Sequence, residues 1–303
     1  MKHAVLSADP CTLCPRRCGA PRLAALPGKA AGACRMGSEP VLARAALHHW
    51  EEPVISGSRG SGTVFFSGCS LGCVYCQNHE ISHGGFGRAV SVGRLRRIYL
   101  ELASQGAHNI NLVNPTHFIP AIAQSLNDPP PVPVAYNSSG YELPESLRLL
   151  EGKINVYLPD MKYADNFAAA RYSGAGDYFE VAAAAIREMF RQTGPYAIGE
   201  DGLIRSGVLI RHLVLPANIR NTLAVIRWVA KTFPKGAVLF SLMGQYTPCG
   251  ELANYPEINR PLTRREYQRA EDALFASGIE DGFVQSPAAA AKRYIPAFDL
   301  SGL

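Results

Sequence analysis

The sequence predicts an α/β fold, a partial (β/α)6 barrel preceded by an N-terminal cysteine-rich extension. Short apolar runs bounded by Gly, Pro or Asn alternate with segments whose apolar residues recur at helical spacing, which is the pattern of parallel strands covered by helices. Six such units can be found, fewer than the eight of a closed barrel, so an open barrel is expected. Before them, four cysteines stand among prolines, glycines and arginines with little periodicity.

The predicted elements are short strands and longer amphipathic helices. We expect strands at residues 63–67, 109–113, 132–137, 154–158, 208–215 and 237–242. The clearest helices are expected at residues 92–105, 178–191 and 219–231. We interpret the proline-rich run 128–133 as a turn and divide the chain into an extension, residues 1–58, and a barrel, residues 59–303.

Composition and charge limit the class of protein. With 303 residues, of which 47% are hydrophobic and 18% charged, the chain can bury a large core. The net charge of +5 is spread over many arginines without a long basic block, so no nucleic-acid partner is expected. No apolar run approaches the roughly 20 residues of a membrane span, and the first residues lack the apolar core of a signal peptide. We therefore expect a cytoplasmic protein without a membrane partner, whose eight cysteines are metal ligands rather than disulfides.

Three cysteines stand on the loop that leaves the first predicted strand. Cys69, Cys73 and Cys76 are spaced C-x3-C-x2-C, directly after an apolar run and beside Gly68 and Gly72. A [4Fe–4S] cluster normally takes four cysteines, and structural zinc also takes four ligands. The trio therefore predicts a cluster with one iron open to an exchangeable ligand. A zinc knuckle or incidental thiols are the alternatives.

The other four clustered cysteines belong to the extension. Cys11, Cys14, Cys18 and Cys34 are spaced C-x2-C-x3-C-x15-C in a segment that has too little apolar content to fold unaided. They could hold a structural zinc ion or a fully ligated second [4Fe–4S] cluster, and either would supply folding free energy. The spacing does not choose between the two metals. Free thiols in a mobile tail are the third interpretation.

The trio and its surroundings carry a family resemblance. The sequence C-x3-C-x-aromatic-C followed by QN, with Tyr75 as the aromatic residue, resembles the signature loop of the radical S-adenosylmethionine (SAM) superfamily. The resemblance implies a radical SAM barrel in which the open iron chelates the SAM amino and carboxylate groups, and in which a 5′-deoxyadenosyl radical abstracts a substrate hydrogen. It also favours a second cluster over zinc in the extension. Across its length, the chain resembles the "pyruvate formate-lyase activating enzyme-like" branch, and neomycin C epimerase is a second possible relative.

Segments after the second and third predicted strands resemble SAM-binding turns of that superfamily. In NPTHF, which stands where activating enzymes usually carry a GGE-type motif, Asn114, Thr116 or His117 could hold the SAM amino group. In NSSGY, Asn137 and Ser139 belong to a turn that resembles the TNGY-like turn of activating enzymes. The alternatives are a packing role for His117 and an ordinary polar turn at NSSGY.

Two later segments add to the resemblance. Asp160 and Lys162 in PDMKY resemble the pair by which activating enzymes bind the SAM carboxylate, with the lysine as a mobile point charge. His212 in RHLVLP resembles the strand histidine that contacts the SAM ribose. A solvated lysine and a satisfied core histidine are the alternatives.

Three hypotheses remain for the reaction. The first is an activating enzyme that abstracts hydrogen from a glycine of a glycyl-radical partner, although activating enzymes usually carry extra clusters after the SAM loop rather than before it. The second is an epimerase of a small molecule or peptide, with Cys249 in GQYTPCGE as hydrogen-atom donor, or else a loop cysteine with no role. The third, a metal-binding interaction module, gains nothing from an open iron. For either enzyme, a reductase such as flavodoxin or ferredoxin is the expected electron donor.

Overall fold

The computed structural model describes residues 6–23, 30–287 and 296–303. Within these residues the chain forms ten strands that belong to one sheet. The strands are β1 (Val41–His48), β2 (Ser61–Phe66), β3 (Arg88–Ala89), β4 (Ile110–Val113), β5 (Val134–Ser138), β6 (Val156–Pro159), β7 (Ala197–Ile198), β8 (Ile204–Leu213), β9 (Leu239–Met243) and β10 (Gly282–Gln285).

Helices connect most of these strands and cover the sheet. The α-helices of the described residues are α1 (Pro53–Ser56), α2 (His79–Ser82), α3 (Val92–Ser104), α4 (Ile119–Ser125), α5 (Pro144–Leu147), α6 (Asn166–Ser173), α7 (Tyr178–Thr193), α8 (Ile219–Thr232) and α9 (Arg264–Phe275). Short 3-10 turns occur at Thr116–Phe118 and Arg148–Leu150. No helix in the described part of the chain is long and apolar enough to cross a membrane, and the cytoplasmic location stays a prediction.

The sheet is an open, mostly parallel barrel. Its strand order is β10-β9-β8-β6-β5-β4-β2-β1-β3, with β7 paired to β8 at the side. The strands from β2 to β10 along this order are parallel, whereas β1 and β3 add an antiparallel edge next to β2. The predicted α/β class and partial barrel are confirmed, as are the six predicted strands and three predicted helices. A seventh parallel strand, β10, was missed because its four residues, GFVQ, form no apolar run.

The chain itself closes the end of the barrel at which β2 begins. His48, the last residue of β1, pairs with Ser61, the first residue of β2, and α1 follows directly. Asn109 donates a 2.7 Å hydrogen bond to the Ile55 carbonyl of α1 and accepts one from Ser61 at 2.6 Å. Apolar side chains of the barrel interior pack around Ile55 here, namely Ala135, Val156, Leu158, Ile204, Leu209 and Leu239. The barrel is therefore plugged at this end.

The extension packs directly on the barrel. Ser146 of α5 donates a 2.7 Å hydrogen bond to the Leu13 carbonyl, and Met36 belongs to the same apolar core as the barrel residues. The sheet already begins at Val41, within the region assigned to the extension. The division of the chain into residues 1–58 and 59–303 stays a prediction.

A glycine in the turn after β5 is predicted to be required there for two reasons. Gly140 has a φ of +76°, and an added Cβ would lie 2.5 Å from the Asp160 carbonyl oxygen. Gly152 has a φ of +75° with nothing within 4 Å, so it is the matched control. Gly152→Ala should lower the free energy of unfolding by about 1–2 kcal/mol through backbone conformation, and Gly140→Ala should cost clearly more. Urea unfolding measures both, and equal losses would contradict the close contact.

Candidate active site

A cavity of about 520 Å³ lies inside the barrel, a size typical of small-molecule sites. The loops that follow β2, β4, β5 and β6 line it from the end where these strands finish, which is where parallel barrels place their chemistry. Residues between β1 and α1 line it from the plugged end. The cavity brings together most of the predicted site residues: Cys69, Cys73, Tyr75, Cys76, Asn114, Asn137, Ser139, Asp160, Lys162 and Cys249.

Hydrogen-bond donors surround the three cysteine sulfurs of the loop after β2. Two backbone N–H groups within the loop point at Cys69 Sγ at 3.4 Å. Ser173 Oγ donates to Cys73 Sγ at 3.1 Å, and Ser82 Oγ donates to Cys76 Sγ at 3.3 Å. Donors of this kind stabilise negative charge on sulfur and tune a bound cluster. Each thiol is therefore prepared to act as a thiolate.

Burial opposes the loss of a proton at two of these thiols. Burial raises the pKa of Cys69 to about 12 and also raises the pKa of Cys76. A metal ion reverses this tendency because a coordinating thiol loses its proton. Among residues 6–23, 30–287 and 296–303, no three His, Cys, Asp or Glu side chains are arranged to hold a metal ion. In a cubane each thiolate binds a different iron, so the trio fits a cluster by its donor chemistry.

The four cysteines of the extension are neighbours. Cys11, Cys14 and Cys34 are buried, whereas Cys18 is exposed. Burial raises the pKa of Cys14 to about 12, and the nearby thiols of Cys34, Cys11 and Cys18 contribute to the rise. Arg22 is buried beside them, with its guanidinium 3.7 Å from Cys11 Sγ. That these cysteines hold a metal, and which one, stays a prediction.

An arginine of the extension fastens the cysteine loop to the barrel. Arg16 lies between Cys14 and Cys18 in the chain, and its guanidinium donates to the carbonyls of Ser70 at 2.8 Å and Leu71 at 3.0 Å. It also donates to two carbonyls at the end of α6, one of them 2.8 Å away. The extension therefore braces the loop that carries the trio.

A partly buried ion network joins several predicted residues to two that sequence reasoning missed. Arg211 of β8 donates to Asp160 at 2.9 Å, to Glu51 at 3.0 Å and to Asn137 at 2.7 Å. Lys162 donates to the other Asp160 oxygen at 2.6 Å. Burial opposes the ionisation of Asp160, but Arg211 and Lys162 outweigh it and lower the Asp160 pKa. Asp160 is therefore an anion that positions two cations.

Lys162 stands next to the cysteine trio. Burial alone would lower its pKa, but Asp160 and the thiols of Cys73 and Cys76 raise it. Its ammonium group is therefore charged and faces the sulfurs. One of its three donors is used on Asp160, which leaves two for a ligand.

Three further predicted residues line the same cavity with different surroundings. Tyr75 is buried, and its hydroxyl forms a 2.8 Å hydrogen bond with the Tyr163 hydroxyl. Asn114 has a φ of +59° and donates to the Gly68 carbonyl, which ties it to the cysteine loop. Ser139 has a buried hydroxyl that makes no hydrogen bond within the described residues. Ser139 is therefore the one of the three whose side chain makes no hydrogen bond in the part of the chain that the structure describes.

The prediction for His212 is wrong. The ring is fully buried outside the cavity, with one nitrogen 2.7 Å from the Met161 carbonyl and the other 3.0 Å from the Thr222 hydroxyl. Burial lowers its pKa to about 4, so it is a neutral core histidine that cannot reach a ribose in the cavity. Alternation along β8 explains the error, because it turns Arg211 inward and His212 outward.

Thr116 and His117 are also absent from the cavity wall, in contrast to Asn114. Thr116 donates to the buried Glu142 carboxyl at 2.7 Å. His117 lies 2.7 Å from the Ser67 carbonyl, and burial lowers its pKa to about 3. Both are packing residues of the 3-10 turn, so of this segment only Asn114 remains a candidate.

Removal of Arg16 should loosen the cysteine loop. Hydrogen bonds from a charged donor contribute about 1.5–3 kcal/mol, so Arg16→Ala should speed amide hydrogen exchange across residues 69–76 roughly tenfold or more. Arg17→Ala is the control, since its exposed ion pair with Glu145 contributes about 0–1 kcal/mol. Mass spectrometry of anaerobically purified protein gives the exchange rates. Unchanged exchange in Arg16→Ala would mean that the loop needs no brace.

Comparisons with known proteins identify relatives of the chain. No protein-family model matches it. The uncharacterized protein MJ0674 of Methanocaldococcus jannaschii is 30% identical over 249 residues, which are 79% of this chain and 68% of that protein. A cysteine-to-serine mutant of spore photoproduct lyase has a TM-score of 0.51 at 13% identity, over 80% of this chain and 79% of the lyase. Streptococcus suis SuiB bound to precursor peptide SuiA has a TM-score of 0.47 at 12% identity, over 72% of this chain and 46% of SuiB, so the chain spans about half of SuiB.

These likenesses differ in what they show. MJ0674 is similar over more than two thirds of both chains, which is evidence of a common family. Spore photoproduct lyase is a radical SAM enzyme, and its low identity to this chain shows the fold alone. The chain therefore belongs to the same family as MJ0674, and its fold is similar to that of spore photoproduct lyase.

Proposed function

We propose that this protein is a radical SAM enzyme that holds a [4Fe–4S] cluster at Cys69, Cys73 and Cys76. The observation that carries the proposal is the position of these three thiols on the wall of a 520 Å³ cavity beside a charged lysine. When bound, the cluster and SAM supply a reductively generated 5′-deoxyadenosyl radical that abstracts a substrate hydrogen. The fold shared with a radical SAM enzyme supports the same function.

The chain's own residues have separable roles in this proposal. The three thiolates leave one ligand position for SAM, and the donors around the sulfurs stabilise their charge. Lys162 binds the SAM carboxylate with the donors that Asp160 leaves unused, since an ammonium group recognises an anion as a point charge. Asn114 and Ser139 border the same space and contribute polar contacts.

For the extension we propose a second [4Fe–4S] cluster, with zinc as the alternative, at Cys11, Cys14, Cys18 and Cys34. Its support is the clustering of the four thiols and the contact of this segment with the catalytic loop. A reductase of the flavodoxin or ferredoxin type is the proposed electron donor. In either metal state, the extension holds the loop in place.

Two specific reactions are candidates for this enzyme. The first is a glycyl-radical activating enzyme, as the sequence resemblance implies. The second is an epimerase of a small molecule or peptide, and the observation that favours it is that Cys249 lines the same cavity as the trio. In that reaction one hydrogen leaves the substrate carbon, and the thiol returns one from the opposite face. The resulting thiyl radical then needs one electron and one proton, which the reductase and solvent supply.

The central proposal predicts that the trio is indispensable. Replacing Cys69, Cys73 and Cys76 by Ala, singly or together, should abolish formation of 5′-deoxyadenosine, because the cluster loses a ligand. The triple variant should keep its secondary structure and about four irons, held by the extension. Chromatography of the nucleoside product and iron analysis measure both results.

Two outcomes would contradict these assignments separately. Native rates of 5′-deoxyadenosine formation in any single variant would reject the catalytic site. Stoichiometric zinc without iron in the triple variant would make the extension a structural zinc site.

Cys249→Ala distinguishes the two reactions. If Cys249 is the hydrogen donor, the variant should still cleave SAM and consume substrate, but solvent deuterium should no longer appear at the inverted carbon. If the protein is an activating enzyme, the variant should install the glycyl radical in a cognate partner as well as the native protein does. That second result, read by electron paramagnetic resonance of the partner, would reject the donor role.

A further inference from the structure

Glu52 is a buried carboxyl that the proposed chemistry does not use. Its side chain is 2% exposed, yet it lines the cavity, and within the described residues neither carboxylate oxygen has a hydrogen-bond partner. Most buried polar groups in native proteins are hydrogen-bonded, and an unpaired one costs free energy. An orphaned carboxyl on a cavity wall therefore points to a ligand that completes it.

The position of Glu52 separates it from the cysteine trio. It follows β1 at the end of the barrel where β2 begins, whereas Cys69 lies beyond the end of β2. The Glu52 carboxyl lies beside Ser241 of β9, which pairs with Arg211 of β8. Glu52 and the trio therefore line different parts of one cavity.

The other charged groups near Glu52 form ion pairs with one another. Glu51 accepts from Arg211 at 3.0 Å and from the side-chain amides of Asn111 and Asn137 at 3.2 and 3.3 Å. The other Arg211 donors go to Asp160 and Asn137. Two cations, Arg211 and Lys162, thus balance two anions, Glu51 and Asp160. Glu52 is left without a counter-ion from this network.

The polar atoms at Glu52 that lack hydrogen-bond partners indicate which chemical group a ligand would need. Burial raises the Glu52 pKa, with Arg211 opposing and Glu51 adding to the rise. Ser241 of β9 lies close enough to Glu52 to lower the pKa of its carboxyl, but within the described residues the buried Ser241 hydroxyl makes no hydrogen bond of good geometry. A hydroxyl ligand would bring one donor and no charge. An ammonium or guanidinium group brings several donors and the counter-ion that the carboxylate lacks.

We propose that Glu52 anchors an inner substrate subsite that binds an ammonium or guanidinium group, so that the substrate is an amine-bearing or guanidine-bearing molecule. This inference rests on the proposed function, because a substrate subsite requires an enzyme. It places the cationic end of the substrate beside the segment that plugs the barrel. The remainder of the molecule then extends toward the loop that carries the trio.

The test uses small cationic probes and does not depend on SAM cleavage. Butylammonium and butylguanidinium are titrated into the anaerobically reconstituted, unreduced protein, with butanol and butyrate as neutral and anionic matches. Saturation-transfer NMR with and without excess SAM measures binding. At least one cation should bind roughly tenfold or more tightly than butanol and butyrate, and SAM should not displace it.

Matched variants assign the binding to one carboxyl. Glu52→Gln should weaken cation binding roughly tenfold or more, since the amide carries no charge. Glu142→Gln is the control, because Glu142 is equally buried, has an unpartnered oxygen and a pKa that burial raises to about 7, and lies outside the cavity lining. It should bind the cations as the native protein does. Glu52→Asp, which withdraws the carboxylate by one methylene, serves if Glu52→Gln does not fold, and it should also weaken binding.

Three results would overturn the proposal. The first is equal binding of cations and butanol by the native protein, which would leave Glu52 as a protonated or water-bound core acid. The second is native cation affinity in the folded Glu52 variants. The third is displacement of the cation by SAM, which would place it in the SAM site. Formation of 5′-deoxyadenosine, measured on the same preparations, reports separately on the proposed function.

Discussion

The partly buried guanidinium of Arg211 joins several parts of the barrel interior. Its bonds reach Asp160 at the end of β6, Asn137 of β5 and Glu51 of the segment that plugs the barrel. A buried ion pair is stable only when its partners are well placed and fully hydrogen-bonded, because desolvation costs several kcal/mol per ion. Arg211 meets that condition by joining two strands and the plug in one network.

The rest of the site follows from this network. Asp160 stays ionised because Arg211 and Lys162 outweigh its burial, and it in turn holds Lys162 beside the cysteine sulfurs. Glu51 is neutralised by the same arginine. The cavity therefore has a cation beside the thiols, and its wall also carries Glu52, a carboxyl outside this network. The Arg211 network thus sets the charge beside the thiols.

The parts of the fold that local pattern determines could be predicted from the sequence. The runs that became β2, β4, β5, β6, β8 and β9 are apolar, and the helices α3, α7 and α8 have clear periodicity. The strands β1 and β10 were not predicted, because these segments become strands by pairing with other segments of the chain. For the same reason Glu51 and Glu52 carried no signal, since only the pairing of β1 with β2 brings them under the barrel.

In the candidate site, too, local sequence patterns could be predicted and features set by long-range packing could not. The cysteine spacing and the D-x-K pair are local patterns, and the cavity contains both. Arg211 and His212 are neighbours in the sequence, and alternation along β8 sends them to opposite faces. Sequence alone could not say which face is interior, because that depends on α8 covering the outer side, where Thr222 meets His212. An arginine within the apolar run of β8, GVLIRHL, is the signal that could have found Arg211.

The most direct test of the account is an electron paramagnetic resonance titration of the anaerobically reconstituted, reduced protein with SAM. SAM should change the spectrum of a cluster held by Cys69, Cys73 and Cys76, because SAM can bind the iron that has no cysteine ligand. The change should be absent when the three cysteines are replaced. A spectrum that SAM leaves unaltered in the native protein would contradict the account.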